Sequence, residues 1–187
     1  MIIALKRKKK TVVAVSVVDQ SSAMTDRDLM LPENLPFWQI KGVDNCYAGA
    51  RKIGFAVDLL RYHDEIFEGI TDAASIRELV VPKMKELLKK YDMITSDGMW
   101  QNLLVIVKDD KIYTIDDFFS VWDESEYLIE TLFIDDYIKG TLDDTKDLSA
   151  EDSILTSLRT YQSMGNRRGF PVMIYNLTDK TKKVYYR

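Results

Sequence analysis

Four pairs of adjacent aspartates are the residues of this 187-residue chain whose chemistry best suits a metal site or acid–base catalysis. Paired carboxylates can hold Mg²⁺ or Ca²⁺, or serve as general acid and base. Neighbouring residues on an α-helix point about 100° apart, so a helical pair does not converge on one ion. Asp135-Asp136 is the pair predicted to be helical, and the other three are predicted to lie in turns, where aspartate is favoured because its side chain bonds nearby main-chain groups. We therefore interpret the pairs as solvated and predict no metal and no cofactor. The pairs are Asp109-Asp110, Asp116-Asp117, Asp135-Asp136 and Asp143-Asp144.

The chain has one cysteine and one histidine, Cys46 and His63. A single cysteine excludes an intrachain disulfide and a cysteine-rich zinc site. Cys46 lies in a predicted buried strand, where we expect it to act as a small hydrophobic residue. His63 lies beside Asp64 near a predicted helix end, where we expect a surface histidine interacting with the helix dipole. Neither residue is predicted to be catalytic.

A basic run at residues 6–10 stands out against a net charge of −4. No aromatic residue is interleaved with these charges to stack on bases. We interpret the run as the solvated turn of a hairpin, with contact to an anion or a nucleic acid as the alternative. Asn166-Arg167-Arg168-Gly169 could also bind an anion, and a solvated turn is again the favoured interpretation. We expect no nucleic-acid partner.

The composition, 46% hydrophobic and 30% charged, is that of an ordinary globular protein. No stretch approaches the roughly 18 apolar residues of a membrane-spanning helix. The apolar residues 1–5 precede the basic run, which is the wrong order for a secretory signal. The sequence therefore predicts a soluble cytoplasmic protein with a single domain over residues 1–187 and no membrane partner.

Strands and helices alternate in groups along the predicted chain. The order is two hairpins, two helices, two or three strands, two helices and a final hairpin. Pro82 is expected to kink or split the second helix, because it lacks an amide donor and clashes with the preceding turn. The predicted strands cover 2–8, 11–18, 37–40, 44–47, 103–107, 111–115, 118–121, 170–176 and 182–186. The predicted helices cover 51–68, 71–91, 125–139 and 149 to about 162, with an acidic loop predicted at 141–148.

Strands that arrive as hairpins imply antiparallel sheets, and two helix pairs can supply the apolar cover that two sheets need. The predicted fold is therefore α/β (α+β): a four-layer αββα sandwich of two antiparallel sheets between helix pairs. The helix at 125–139 is apolar nearly all round, which is typical of a deeply buried or interface helix.

Three stretches of the chain together follow the pattern of one known family. Val18-Asp19-Gln20-Ser21 resembles the end of the family's second strand. Asn45-Cys46-Tyr47-Ala48-Gly49-Ala50 is similar to the hairpin that ends in Ala-Gly before a helix. The segments from 103 to 124, the Ser149 helix and Pro171–Tyr175 complete the resemblance. Together these stretches give the chain a resemblance to the proteasome β-subunit family and its bacterial peptidase relatives, which have the N-terminal nucleophile hydrolase fold. The resemblance implies the family's sandwich and assembly into rings through helical layers, and on that ground a homo-oligomer is predicted.

The resemblance also implies a demanding active site. A Thr, Ser or Cys at the mature N-terminus attacks the substrate, with its own α-amine as base. A lysine lowers the proton affinity of the nucleophile, an aspartate orients that lysine, and a Gly-Ser-Gly turn offers backbone amides to the oxyanion. Carried over, the nucleophile position falls at Met1. The aspartate falls at Asp19 if the hairpin holds two extra residues, or otherwise at Val17, and the lysine falls at Glu33 or Asn34.

The remaining family positions also carry residues of the wrong type. The Gly-Ser-Gly turn falls on Trp122-Asp123-Glu124, whose side chains would block the close backbone approach that glycine allows. The Asp and Ser of a late Asp-x-x-Ser-Gly motif fall on Tyr161 and Met164, leaving only Gly165. The chain has 8 glycines, fewer than the roughly 13 of an average chain this long.

These positions predict a vestigial cleft without catalytic residues, at Met1, Asp19, Asn34, Asp123 and Tyr161. The predicted function is that of a catalytically degenerate proteasome-like protein, an oligomeric structural or binding module of unknown partner. One alternative is an N-terminal nucleophile hydrolase, a peptidase or amidase, freed by processing before Thr11. The other is an unrelated enzyme that uses a repurposed cleft.

Overall fold

The computed structural model describes residues 1–16, 36–51, 54–124, 126–130, 135–164 and 170–186. The chain forms two compact units: a terminal unit from Met1–Leu35 and Glu126–Arg187, and a central unit from Pro36–Ser125. The strands are β1 (Ile2–Arg7), β2 (Lys10–Ser16), β3 (Phe37–Gln39), β4 (Cys46–Ala50), β5 (Leu104–Lys108), β6 (Lys111–Ile115), β7 (Val121–Glu124), β8 (Tyr127–Glu130), β9 (Val172–Asn176) and β10 (Thr181–Tyr185). The helices are α1 (Phe55–Tyr62), α2 (Ala73–Ser75), α3 (Val81–Lys90), α4 (Asp135–Asp144) and α5 (Ala150–Ser163). The single domain over 1–187 stays a prediction.

The terminal unit is an antiparallel sheet in the order β10-β9-β2-β1-β8, with α4 and α5 on one face. The opening and closing hairpins are confirmed, since β1 pairs with β2 and β9 pairs with β10. The side chains on the helix-covered face alternate along the strands, as the two-residue period of a strand requires. Their burial supplies the core of this unit, which contains Ile3, Leu5, Val12, Ala14, Ile138, Leu142, Ile154 and Leu158.

The central unit is a second antiparallel sheet in the order β3-β4-β5-β6-β7, with helices on one face. Its core contains Leu60, Met84, Leu88, Ile106 and Tyr113, none of which exposes any surface. Burying one large apolar side chain contributes roughly 1.5–3 kcal/mol, so a cluster of this kind stabilises the unit by itself. Compared with the prediction for 44–47, β4 begins two residues later and runs through Gly49 to Ala50.

The helix predicted over residues 125–139 is wrong in its first half. Tyr127–Glu130 is strand β8, paired with β1 so that Ile2 lies opposite Glu130. The sequence Tyr-Leu-Ile suits a strand, and the pairing satisfies an edge that β1 would otherwise leave open. Helix α4 begins at Asp135 and continues past Gly140 to Asp144, so it also replaces part of the loop predicted at 141–148. The apolar run therefore gives no evidence for an interface helix.

Pro82 divides the second predicted helix by changing its hydrogen-bond pattern. Residues Ile76–Val80, between α2 and α3, form a π-helical turn, in which the amide of Val81 bonds the carbonyl of Ile76. Pro82 then lies in the first turn of α3, where its missing amide donor costs nothing. Among the described helices, none is long and apolar enough to cross a membrane.

Candidate functional site

Two of the predicted cleft positions, Met1 and Tyr161, lie in the terminal unit and pack against its core. The carbonyl of Met1 accepts a hydrogen bond of 3.2 Å from the amide of Ser16, and its side chain is half-buried. Tyr161, on α5, has its ring 5.6 Å from that of Tyr137, at an interplanar angle of 52°. Both side chains therefore have packing roles. Two more predicted cleft positions, Asp19 and Asn34, lie outside the described residues, as do residues 165–169.

The position carried over for the Gly-Ser-Gly turn is a regular strand. Trp122, Asp123 and Glu124 belong to β7, and lie opposite Thr114, Tyr113 and Ile112 of β6. The amide of Asp116 bonds the carbonyl of Ser120 at 3.0 Å. Hydrogen-bonded pairs alternate along an antiparallel ladder, so the backbone groups of Trp122 and Glu124 face β6. Asp123 is exposed and lies in the strand, not in a turn.

The carboxylate of Asp116 organises the loop between β6 and β7. Its Oδ1 accepts the amides of Phe118 at 3.0 Å and Ser120 at 2.7 Å. Its Oδ2 accepts the indole N–H of Trp122 at 3.2 Å. The Asp116 carbonyl accepts the indole N–H of Trp100 at 2.7 Å. One aspartate thus fixes the loop and orients a tryptophan of the next strand, because charge-assisted bonds are the strong ones.

Phe119, at the tip of this loop, adopts a left-handed backbone conformation with φ of 67°. This is rare for a bulky residue and costs of order 1–3 kcal/mol. Its buried ring compensates by packing between two groups. The ring of Trp100 lies 6.2 Å away at an interplanar angle of 28°, and the Lys85 ammonium lies 4.8 Å from its centroid. These contacts fix the position of the Phe119 ring in the loop.

The same loop exposes two aromatic side chains, which we call the aromatic patch: Phe118 and Trp122. Phe118 is 62% exposed and Trp122 is 58% exposed. Two aromatic side chains exposed to this degree leave roughly 200–300 Å² of ring surface in water. Apolar surface rimmed by polar residues marks an interaction site more often than scattered single side chains do. The sequence offers a tryptophan followed by two acids here, but not the Asp116 contact that orients it.

Tyr113, in β6 opposite Asp123, is fully buried, and its hydroxyl has no hydrogen-bond partner among the described residues. Burial, followed by the negative charges of Asp123 and Asp72, raises the pKa of Tyr113. The phenol is therefore held neutral and cannot serve as a base near neutral pH. Asp123 acts here as a nearby charge and not as a bonding partner.

Cys46 is buried in a strand, as the sequence predicts, and the ring of His63 pairs with a neighbouring acid. Cys46 lies in β4 and is fully buried, and burial raises the pKa of its thiol to about 12. A thiol with so high a pKa is a poor nucleophile. His63 is the C-cap of α1, and its Nδ1 lies 2.6 Å from Oε1 of Glu65. The hydrogen bond from His63 lowers the pKa of Glu65, which is exposed.

The aspartate pairs are dispersed. Asp109 and Asp110 form the turn between β5 and β6, at φ of 48° and 63°, as predicted. Asp143 instead lies in the last turn of α4, where it pairs with Lys146 at 3.5 Å, so a turn location for that pair is wrong. In the part of the chain that is described, no three His, Cys, Asp or Glu side chains come together as metal ligands.

Known structures share this fold at low sequence identity. BPH of Thiobacillus denitrificans, also solved in complex with epoxomicin, matches 94% of this chain and 96% of its own, with a TM-score of 0.68 and 13% identity. Anbu, the ancestral beta-subunit, from Yersinia bercovieri matches the whole chain and 87% of its own, with a TM-score of 0.65 and 11% identity. Anbu from Hyphomicrobium sp. strain MC1 matches with a TM-score of 0.62 and 12% identity, covering 99% and 87%.

These similarities confirm the predicted class of fold, an α+β protein of two antiparallel sheets and helix pairs like that of proteasome-related proteins. At 11–13% identity they define the fold and carry no activity across to this chain. No family model and no curated protein matches the sequence.

Proposed function

We propose that this chain is a proteasome-like protein without hydrolase activity, acting as an oligomeric structural or binding module. The observation that carries the proposal is the strand at Trp122, Asp123 and Glu124. An oxyanion hole needs backbone amides aimed at the developing charge. Here two of the three residues direct their amides into the ladder with β6, and bulky side chains replace the glycines. The half-buried Met1, which has no nucleophilic oxygen, supports the same proposal.

Processing before Thr11 would have to dismantle the terminal sheet. Thr11 is fully buried in β2, and its carbonyl accepts the amide of Leu177 at 3.0 Å. Its own amide donates to Oγ1 of Thr178 at 3.1 Å. Removing residues 1–10 would delete β1, which lies between β2 and β8. The alternative hydrolase is therefore disfavoured by the position of its nucleophile in the sheet.

Epoxomicin tests the absence of a nucleophile, because BPH of Thiobacillus denitrificans forms a complex with it and can serve as the positive control. We expect no covalent adduct on this chain by intact-mass spectrometry, and no release of fluorophore from a panel of fluorogenic peptide amides. A steady turnover by homogeneous protein would overturn the proposal. So would protein from its natural source whose mass places the N-terminus at Thr11 or at any other Thr, Ser or Cys.

The oligomeric part of the proposal is supported by fold similarity to a protein named as a beta-subunit. We expect a homo-oligomer by light scattering at micromolar concentration, and a monomeric mass would contradict it. A partner protein of unspecified kind is part of the same proposal. A location in the cytoplasm stays a prediction from the sequence.

A further inference from the structure

Trp122 is a rigidly oriented and exposed tryptophan. Its indole N–H is bound by Asp116, whose other oxygen holds the amides of the loop, so little side-chain freedom is left to lose on binding. Ordered aromatic residues of this kind contribute much of the affinity at protein interfaces. Phe118 extends the same surface.

The electric charge around the aromatic patch is negative on one face of β7. Side chains alternate along a strand, so Trp122 and Glu124 point to one face and Val121 and Asp123 to the other. Glu124 is held there by the hydroxyl of Thr114, at 3.2 Å. Asp116, bound to the indole, adds to this charge, and Asp117 follows it directly in the chain.

Two basic groups among the described residues contact this region from the helix-covered side of the sheet. Val121 and Phe119 belong to the hydrophobic core shared with the helices. Lys85 reaches the Phe119 ring, and Arg77 donates a bond of 3.0 Å to the Val121 carbonyl. Both cations thus engage the helix-covered side of the sheet. The face that carries Trp122 offers aromatic and carboxylate groups together.

Addition of a partner strand to β7 is disfavoured. β7 is the edge of its sheet, and the groups of Val121 and Asp123 point away from β6. However, the guanidinium of Arg77 already donates a hydrogen bond to the Val121 carbonyl. A four-residue strand with one capped carbonyl is a poor template for strand pairing. Recognition here must rest on the side chains.

We propose that the aromatic patch, with Asp117 and Glu124, binds an extended basic segment of a partner protein. Lys or Arg side chains would stack on the exposed indole through cation–π contact and pair with the carboxylates. Apolar residues of the segment would cover Phe118. The inference rests on the proposed binding function and names the chemistry of the partner.

Intrinsic fluorescence can report on this site, because Trp122 is the most exposed of the three tryptophans, with Trp100 only 3% exposed. The probe is the peptide Ac-(Lys-Leu-Arg)₂-NH₂, and its counterpart is Ac-(Glu-Leu-Asp)₂-NH₂ with the same leucine content. We expect the basic peptide to shift the emission saturably and to shield Trp122 from acrylamide. The acidic peptide should do neither. W122F identifies the part of the signal that belongs to Trp122.

Matched charge variants locate the binding face. The double variant D117N/E124Q should weaken binding of the basic peptide by about fivefold or more, and added salt should weaken wild-type binding. D123N removes the same kind of charge from the opposite face of the same strand. We expect its effect to stay within about twofold, because exposed charges further from the ligand are screened. F118A should weaken binding without changing its salt dependence.

Several results would overturn the inference. No response to the basic peptide at millimolar concentration would do so, as would equal responses to both peptides or a loss in D123N that matches D117N/E124Q. If Trp122 becomes better shielded from acrylamide when only the protein concentration is raised, the patch is a contact between copies of this chain instead. Mass spectrometry of the peptide after incubation shows whether it is intact, so failure of this inference can be told apart from failure of the proposed function. Cleavage would refute the absence of hydrolase activity, whereas failure to bind would leave it standing.

Discussion

The guanidinium of Arg7, at the end of β1, donates a hydrogen bond of 2.9 Å to the carbonyl of Leu142 in the last turn of α4. The same group donates to the Thr145 carbonyl at 2.6 Å and to the hydroxyl of the buried Ser153 on α5. A cation at a helix C-terminus satisfies carbonyls that have no partner in the helix and opposes the helix dipole. Arg7 therefore joins the opening hairpin to both helices of the terminal unit.

We expect Arg7→Ala to lower the free energy of unfolding by about 1–3 kcal/mol, because it leaves carbonyls and a buried hydroxyl with fewer partners. Arg7→Lys should recover only part of the loss, since one ammonium cannot replace the fork of the guanidinium. Urea unfolding measures both. Lys182→Ala, which removes a charge from an exposed position on β10, is the control. A cost as small as that of the control would refute the role of Arg7.

Asp92 occupies a position that favours glycine. The amide of Met93 bonds the carbonyl of Leu88 at 2.9 Å, and the amide of Asp92 bonds that of Lys89 at 3.1 Å. This is a Schellman motif, and Asp92 holds its left-handed residue at φ of 55°. We expect Asp92→Gly to stabilise the protein by about 0.5–1 kcal/mol, because glycine adopts this conformation without steric cost.

Asp92→Asn separates conformation from charge. It keeps a side chain that tolerates the left-handed region but removes a negative charge from a helix C-terminus. If Asp92→Asn stabilises as much as Asp92→Gly, the gain comes from charge alone. Thermal unfolding of the three proteins at equal ionic strength decides between these causes.

Cys46 should be inert in the folded protein. Full burial and a pKa raised to about 12 leave almost no thiolate near neutral pH. With a thiol-reactive chromogenic reagent at pH 8, we expect no reaction of the native protein, and one thiol per chain after unfolding in guanidinium chloride. Lys41→Cys, in the exposed β3–β4 turn, should react at once and serves as the control. Rapid labelling of native wild type would show that β4 opens readily.

Tyr185 links stability to alkaline pH. Its hydroxyl donates to Glu151, and this bond, with burial and the charge of Glu151, raises the pKa of Tyr185 from 10.0 to about 12. A raised pKa means that the folded state retains a proton that the unfolded state loses earlier. The contribution of the bond is therefore complete below pH 10 and declines as the pH rises toward 12.

The variant Tyr185→Phe should show this linkage directly. We expect it to be less stable than wild type at neutral pH, and the difference in unfolding free energy should narrow as the pH rises above about 10. Tyr186→Phe removes a hydroxyl from a neighbouring side chain that is 65% exposed, and should leave the pH dependence unchanged. A constant difference between wild type and Tyr185→Phe at every pH would contradict the raised pKa.

Local sequence patterns predicted the elements whose structure depends on residues close together in the chain. The hairpins follow from alternating β-branched residues and short polar turns. Helix α5 begins where Ser149 predicts it, and the Ser149 hydroxyl accepts the amide of Asp152 at 3.1 Å. The other elements depend on pairing with residues far away in the sequence. Tyr127–Glu130 is apolar in a pattern that suits either structure, and β1 selects the strand by pairing with it.

The candidate site could be predicted only in part for the same reason. The mismatch between Trp122-Asp123-Glu124 and a glycine turn is visible in the sequence. The contact between Asp116 and Trp122 is not, because it depends on a tight loop in which Phe119 has an unusual backbone conformation. Side chains that meet across such a loop leave no periodic signal in the sequence.

The chain leaves the terminal unit after β2 and returns to it only at β8, and this order has a consequence during synthesis. On the ribosome, Pro36–Ser125 emerges as one contiguous stretch that holds all five strands of its own sheet. The β1–β2 hairpin, made first, must wait for β8 on one side and β9 on the other. Until then both of its edges are open to wrong pairing. A nascent chain stalled before residue 126 is thus the form of this protein that most needs a chaperone.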